Sequence, residues 1–179
     1  MEFSRLIEER RSIRDYEKGV SISKEDIEQM IYAAQQAPSW KNSQTGRYYA
    51  VISEDKLAEM RRYCLPSFNA ERTANACAYI VTAFESGTSG FTPDGRPTDN
   101  SGNGWGAYDL GLQNQNLLLR ARELGYDTLI MGLRYEDELR SILNIPDSQI
   151  IMSVIAVGKR RTEVQKPERK PISEIVKIF

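Results

Sequence analysis

The apolar positions of this sequence recur every three to four residues in some segments and form short β-branched runs in others. Ser23 followed by Glu25 and Asp26 is typical of a helix start, because the serine can cap the first turn and the acids suit its dipole. We expect Pro38 to stop that helix, since proline forces the residue before it toward an extended conformation. The pattern predicts helices over 3–9, 23–36, 55–63, 105–124 and 136–143, and strands over 48–52, 78–84, 126–131 and 149–157. This order of elements indicates an α+β fold.

A polar connection separates the second predicted strand from the longest predicted helix. Residues 85–104, here called the lid loop, are rich in Ser, Thr, Gly, Pro, Asn and Asp and cannot bury much apolar area. A connection of this length in a compact domain is typical of a lid or a binding loop, with disorder as the alternative.

The segment 160–179, here called the C-terminal arm, is basic and marked by proline, yet it ends in apolar residues that need a surface to cover. These residues are Ile172, Ile175, Val176, Ile178 and Phe179. The arm could fold back on its own domain, or it could reach across a two-fold axis to a partner subunit. We predict the exchanged arm.

Length and charge narrow the class of protein. The 179 residues suit one domain covering 1–179. The 24 basic and 25 acidic side chains leave a net charge of −1, which gives no global attraction for nucleic acid or an anionic membrane. The first residues are too charged for a signal peptide and the apolar runs too short to span a bilayer, so we expect a cytoplasmic protein.

Histidine is absent, and the two cysteines lack a Cys-x-x-Cys spacing. A Ser-His-Asp relay and a histidine-ligated metal centre are therefore excluded, and we predict no metal site. Cys64 and Cys77 are expected to be reduced packing residues. The hard chemical step then falls to Asp, Glu, Lys, Tyr or Cys, or to a bound cofactor, which we favour.

Residues 10–14, here called the arginine segment, place three guanidinium groups and a hydroxyl close together. Its candidate binding residues are Arg10, Arg11, Ser12 and Arg14. Planar, permanently charged donors suit a phosphate or a flat acceptor edge. The alternative is an ordinary helix end, where cations suit the negative pole of the dipole.

Residues 38–44, here called the amide loop, combine a rigid turn, an aromatic surface and two carboxamides. Its candidate binding residues are Pro38, Ser39, Trp40, Asn42 and Gln44. Carboxamides both donate and accept hydrogen bonds, as the rim of a heterocycle with alternating N and C=O groups requires. The alternative is a polar loop with Trp40 as a core plug.

Further basic residues stand near the carboxyl end, among them Lys159 and Arg169. Aromatic residues are not interleaved with them and acidic residues interrupt them, so a nucleic-acid surface is disfavoured. A phosphate monoester needs more than one cation, and cations from both chain ends could converge on it.

These segments resemble the nitroreductase family of flavin mononucleotide (FMN) enzymes, whose Arg-Arg-Ser-x-Arg and Ala-Pro-Ser-x-x-Asn-x-Gln elements line the flavin. Further landmarks follow in the family's order. They are Asp109-x-Gly111 through Gln115-Asn116-Leu117-Leu118, Gly125 with Met131-Gly132-Leu133, Leu143-x-Ile145-Pro146, and Val157-Gly158-Lys159. One departure is Gln44-Thr45-Gly46, where the family commonly has Gln-Pro-Trp.

The resemblance implies an α/β/α sandwich with a central mixed sheet, and a homodimer that exchanges its C-terminal arms and binds FMN at the subunit interface. It implies that the arginine segment binds the phosphate, ribityl chain and pyrimidine edge, and that the amide loop approaches from the other subunit. It further places Met131, Gly132 and Leu133 beside the reactive nitrogen, and Lys159 and Arg169 at the phosphate. The flavin carries the chemistry, and no side chain is assigned as catalytic. Arg14 and the backbone of Gly132 are expected to tune the flavin.

The activity implied is reduction of a nitroaromatic, quinone or related electron-poor small molecule, with NADH or NADPH as electron donor in a ping-pong cycle. Three alternatives remain open. They are a flavin-binding or redox-sensing module without turnover, a family member acting on an enone or halogenated aromatic, and a phosphate-dependent binding domain without flavin.

Overall fold

The protein is described by a computed structural model that covers residues 2–179, and four strands form the sheet at its centre. The strands are β1 (Gly46–Val51), β2 (Ala78–Glu85), β3 (Asp127–Met131) and β4 (Gln149–Gly158), in the order β1-β2-β4-β3. β1 and β3 are therefore the two edges. Each predicted strand is present, with ends shifted by at most two residues.

Every neighbouring strand pair in this sheet is antiparallel, so the expectation of a mixed sheet is wrong for the described strands. Within residues 2–179 the one parallel pairing is a single bridge between Ser12 and Thr128. A parallel strand requires a continuous series of backbone hydrogen bonds to its neighbour. The arginine segment forms a single bridge and is therefore not a strand.

Helices cover both faces of the sheet, which confirms the three-layer α/β/α sandwich. They are α1 (Phe3–Glu9), α2 (Lys24–Gln35), α3 (Glu54–Glu59), α4 (Ser67–Arg72), α5 (Gly104–Glu123), α6 (Glu136–Leu143) and α7 (Ile172–Ile175). On one face, α2 and α5 bury Met30 and Leu117 against Ile80. On the other face, Met60 and Leu139 pack with Tyr79 and its neighbours. β2 is buried on both sides, which explains why its sequence is apolar at every position from 78 to 84 except Thr82.

Helix ends follow the local sequence closely. Ser23 caps α2 by accepting a hydrogen bond from the backbone N–H of Asp26 at 3.0 Å. α1 and α6 have the predicted bounds. The helix predicted over 55–63 is α3 followed by a π-helical turn, Met60–Cys64. The short helices α4 and α7 were not predicted.

The lid loop is folded by its own turns, and the alternative of disorder is wrong. Residues 92 and 96 exchange backbone and side-chain hydrogen bonds, and the Gly87 N–H donates to Asn103 Oδ1 at 2.8 Å. Gly90 has φ +80°, and a Cβ there would lie 2.5 Å from Cδ1 of Trp105, so only glycine fits. The loop is thereby packed against the first turn of α5.

The chain after α1 runs along the β3 edge of the sheet. The Ile13 N–H donates to the Thr128 carbonyl at 3.0 Å, and the Glu17 N–H donates to the Lys159 carbonyl at 2.9 Å. The Tyr16 ring is buried against Gly158, where a Cβ would lie 2.6 Å from the ring. The arginine segment is therefore fixed to the sheet.

The C-terminal arm is exposed along residues 161–179, and α7 is its one helix among the described residues. Ile172 is 74% exposed, and Ile178 and Phe179 are more exposed still. Exchange of the arm between subunits stays a prediction, since a single chain is described. Nowhere in residues 2–179 is a helix both long and apolar enough to span a membrane.

Candidate functional site

The arginine segment presents cations that form no salt bridge among the described residues, although Lys166 and, to a lesser extent, the charge of Arg11 lower the pKa of the nearby Glu8. Within residues 2–179, no ion pair is formed by Arg10, Arg11, Arg14 or Arg169, whereas most other arginines of the chain form one. Burial, and then the charges of Arg11 and Arg169, lower the pKa of Arg10. Arg169 therefore lies close enough to act electrostatically on Arg10, and its contact with a phosphate stays a prediction. These cations repel one another, and an anion between them would relieve the repulsion.

A buried ion pair that the sequence did not reveal anchors this region. The Asp127 side chain is 2% exposed, and Arg160 approaches it in bidentate geometry, with Nε 2.9 Å from Oδ2 and Nη2 2.5 Å from Oδ1. The same Nη2 donates to the carbonyl of Glu9 at 3.3 Å, at the end of α1. Arg122 also contacts Asp127, at 3.4 Å. The bond to Asp127, and then that to Glu163, raise the pKa of Arg160. The bonds to Asp127 and to the Glu9 carbonyl fix the entrance to the arginine segment.

The side chain of Lys159 has a different contact from that of Arg160. Its ammonium lies 6.0 Å from the centre of the Tyr126 ring, a cation–π distance, and Tyr126 in turn donates to Asp26 at 3.0 Å. A phosphate contact by Lys159 stays a prediction. Arg160, its neighbour along the chain, is the residue that reaches the end of α1.

The amide loop adopts an unusual backbone conformation. Lys41, Asn42 and Gln44 have φ of +46°, +56° and +50°, in the left-handed region that residues with a side chain seldom adopt. Ser39 holds the loop from within, because its Oγ accepts from the Gln44 N–H at 3.1 Å. The side chains of Pro38, Asn42 and Gln44 are exposed, so the two carboxamides face outward.

Trp40 is half-buried and packs against the first turn of α5. Its ring centre lies 4.7 Å from that of Trp105, and Trp105 contacts Tyr108 at 5.9 Å. The indole N–H of Trp40 is buried without a hydrogen-bond partner among the described residues. Trp40 is therefore part of a loop-helix contact at the edge of the domain.

The segment 131–133 continues β3 toward the surface. Met131 is buried, whereas Gly132 and Leu133 are exposed. Asn69, a buried residue that the sequence did not single out, donates from Nδ2 to the Leu133 carbonyl at 3.2 Å. Asn69 lies in α4, and Thr73, which directly follows this helix, donates from Oγ1 to the Asn69 carbonyl at 2.7 Å. The backbone beside Gly132 is therefore held rigidly.

The arginine segment and the amide loop lie at opposite edges of one sheet. The amide loop leads directly into β1, and the arginine segment runs beside β3. With two strands between them, these edges are roughly 14 Å apart. A site built from both segments at close range therefore requires a second copy of the chain.

An apolar groove of about 820 Å³ lies between α1, α2 and α5. Phe3 and Tyr32, which line it, are each 65% exposed. Contiguous apolar surface of this kind marks an interaction site.

Metal-ligating side chains do not converge in the described part of the chain: no group of three or more His, Cys, Asp or Glu residues is placed to hold an ion. Cys64 and Cys77 are separate buried thiols, and burial raises the pKa of each to about 11.

Comparison with known proteins agrees with the resemblance in sequence. The family model described as "Nitroreductase family" matches residues 7–159. A protein of Archaeoglobus fulgidus, provisionally named NADH dehydrogenase/NAD(P)H nitroreductase, is 32% identical over 89% of this chain and 86% of its own length. A Bacillus subtilis protein, MhqN, provisionally named NAD(P)H nitroreductase, is 28% identical over 99% of both chains.

Solved structures share the fold. A nitroreductase family protein from Streptococcus pneumoniae superimposes with a TM-score of 0.85 at 20% identity, over 99% of this chain and 100% of the other. A provisionally named nitroreductase from Exiguobacterium sibiricum, solved in complex with FMN, gives 0.81 at 24% identity, over 100% and 98%. With its family pattern matched from α1 to the end of β4 and its three-layer fold shared over whole chains, this protein belongs to the nitroreductase family.

Proposed function

We propose that the protein is an FMN-dependent oxidoreductase that uses NADH or NADPH to reduce nitroaromatic, quinone or related electron-poor small molecules in a ping-pong cycle. We further propose that it acts as a cytoplasmic homodimer. The observation that carries the proposal is the cluster of guanidinium groups at the β3 edge that act on one another and form no salt bridge among the described residues.

The residues present fit the phosphate of FMN. A phosphate monoester carries roughly two negative charges at neutral pH and accepts several hydrogen bonds. Arg10, Arg11 and Arg169 offer the matching cations, and the Nε of Arg11 is buried without a partner among the described residues. Ser12 adds a hydroxyl beside them. A bound phosphate would thus satisfy both the charge and the orphaned donor.

The exposed carboxamides of the amide loop suit the rim of the flavin ring. Asn42 and Gln44 can each donate and accept, and Ser39, Pro38 and Trp40 complete the surface. Because this loop lies at the far edge of its own sheet, we assign it to the flavin bound by the partner subunit. Two such composite sites would follow from the two-fold symmetry of a dimer.

The apolar surfaces support the dimer. The groove lined by Phe3 and Tyr32 and the exposed end of the C-terminal arm both need covering. A second copy of the chain would cover both, since a two-fold axis presents each feature to the other subunit.

Bound FMN would accept hydride from the nicotinamide nucleotide and pass reducing equivalents to the acceptor. The protein's own residues would bind and tune it. Arg14 places a cation for the pyrimidine edge, where negative charge develops on reduction. The rigid backbone at Gly132, followed by Leu133 and preceded by Met131, would lie beside the reactive nitrogen. Lys159 would add a further cation.

The test is the visible spectrum of the purified protein, followed by NAD(P)H oxidation on addition of a nitroaromatic or a quinone. A yellow protein that oxidises NADH or NADPH in an acceptor-dependent way supports the proposal. A yellow protein without turnover would identify a redox-sensing module instead. A protein that stays colourless after incubation with FMN would favour the alternative of a phosphate-binding domain without flavin.

A further inference from the structure

One buried carboxylate joins the amide loop, the lid loop and the central helix. Asp109 lies in the second turn of α5 and is 3% exposed. Its Oδ2 accepts two hydrogen bonds, from the backbone N–H of Trp40 at 2.9 Å and from the hydroxyl of Ser89 at 2.7 Å. Trp40 belongs to the amide loop and Ser89 to the lid loop, so a single oxygen atom contacts both loops.

Ser89 extends the connection on the side of the lid loop. It is 1% exposed, and its Oγ lies 2.7 Å from the Oγ of Ser43 and 3.4 Å from the Oγ of Thr45. Both of these residues flank Gln44. The hydroxyl of Ser89 therefore spans from Asp109 to the far end of the amide loop.

The amide loop needs an external anchor because its backbone is strained. Residues in the left-handed region cost free energy and persist only where their surroundings impose that conformation. Within the loop, the local support is a single turn of backbone hydrogen bonds, from Asn42 N–H to the Ser39 carbonyl and from Ser43 N–H to the Trp40 carbonyl, together with the bond from Gln44 N–H to Ser39 Oγ. These bonds close the turn on itself and do not tie it to the rest of the domain. The bond from Trp40 N–H to Asp109 fixes the start of the strained run, and Ser43 Oγ fixes its end.

A role in stability alone accounts poorly for Asp109. Burying a carboxylate is costly, and a well-packed apolar residue of similar size usually serves a core as well or better. The donors to Asp109 Oδ2 are a backbone N–H and a hydroxyl, and both belong to loops rather than to the core. The carboxylate is thus suited to setting loop geometry.

We propose that Asp109 is a positioning residue that sets the amide loop and the lid loop together, so that the loop contacting the flavin and the loop controlling acceptor entry share one anchor. The proposal rests on the function proposed above. It assigns the lid loop a direct mechanical connection to the flavin rim of the neighbouring site, through Ser89 and Trp40.

Both tryptophans of the chain report on this junction. The protein contains two tryptophans, Trp40 and Trp105, and their rings are in contact. Release of the anchor should therefore change tryptophan fluorescence, and its quenching by acrylamide measures how exposed the rings become. This readout is taken on full-length protein after removal of any flavin, and it does not depend on activity.

The test compares Asp109→Ala, Asp109→Asn and Ser89→Ala with the control Asn100→Ala, which alters an exposed residue of the same lid loop whose side chain makes no hydrogen bond in the described part of the chain. We expect Asp109→Ala to increase acrylamide quenching and to raise the Kd for FMN by about 10- to 100-fold, as loss of a hydrogen bond to a buried carboxylate implies. Asp109→Asn retains an acceptor oxygen and should recover part of the affinity. The control should match the wild type.

Ser89→Ala removes the contact of the lid loop and keeps the bond from Trp40 to Asp109. It should increase quenching and raise KM for the acceptor several-fold while kcat stays unchanged. Wild-type quenching, FMN affinity and acceptor KM in Asp109→Ala would overturn the proposal. If that variant does not fold, wild-type quenching and KM in Ser89→Ala would overturn it. A wild-type protein that binds no FMN would refute the proposed function, whereas the quenching comparison would still test the anchor.

Discussion

Replacing Asp127 with alanine should destabilise the protein more than any change at an exposed ion pair. The substitution removes the bidentate partner of Arg160, whose side chain is 10% exposed, and leaves the exposed carboxylate of Glu163, at 2.8 Å, as its one acidic partner among the described residues. Removing one member of a buried ion pair costs about 3–5 kcal/mol. For a chain of this length, each kcal/mol shifts the Tm by about 2–4 °C, so we expect a fall of roughly 6–20 °C.

The assay is thermal and urea unfolding at one fixed protein concentration, since subunit association would make the Tm concentration-dependent. Lys24→Ala is the matched control, because the Lys24–Glu28 pair is exposed, at 77% and 62% for the two side chains, and should be nearly neutral. Asp127→Asn keeps the shape of the side chain and one acceptor oxygen. Its loss of stability should lie between those of Lys24→Ala and Asp127→Ala. A loss below about 1 kcal/mol for Asp127→Ala would refute the reasoning, because it would mean that solvent or Glu163 compensates the charge of Arg160 as well as Asp127 does.

The remaining predictions concern the flavin, the arm and the thiols. Arg14→Ala should make the flavin potential more negative by about 30–60 mV, the equivalent of one charge-assisted hydrogen bond for a two-electron couple; an unchanged potential in spectroelectrochemical titration would restrict Arg14 to holding the cofactor. Truncation of residues 171–179 should shift the protein toward monomer in sedimentation velocity and weaken FMN binding, and a fully dimeric, flavin-loaded truncation would contradict the exchanged arm. Cys64 and Cys77, buried with pKa values raised to about 11, should react with a thiol reagent at pH 8 only after unfolding, and rapid labelling of the folded protein would count against the packing described.

Much of the fold could be predicted because its elements are locally encoded. The capping serine and apolar face of α2, and the largely apolar, β-branched sequence of β2, are signals that lie within a short window of sequence. The mixed sheet came from the resemblance, and the described strands are antiparallel. The π-helical turn at Met60–Cys64 differs from an α-helix by one hydrogen-bond register, which apolar periodicity does not distinguish.

The sequence indicated the candidate binding residues, but it did not indicate the buried residues that hold them in place. Arg10 and Asn42 stand in recognisable clusters, so sequence alone singles them out. Asp109, Asp127 and Asn69 act on segments distant along the chain, from Trp40 to Arg160. Asp109 stands in a landmark of the family, but that landmark does not indicate which loops its carboxylate contacts. Such pairings arise when the chain folds, and one sequence carries no local signal for them.

The central claim is that each flavin is bound by the arginine segment of one subunit and the amide loop of the other. Co-expression of Arg10→Ala/Arg11→Ala chains with Ser39→Ala/Asn42→Ala chains under two different tags gives heterodimers with one intact and one doubly damaged site. FMN titration of the isolated heterodimer should reveal one tight site per dimer, although each parent homodimer binds weakly. A heterodimer that binds no better than its parents would contradict the shared site.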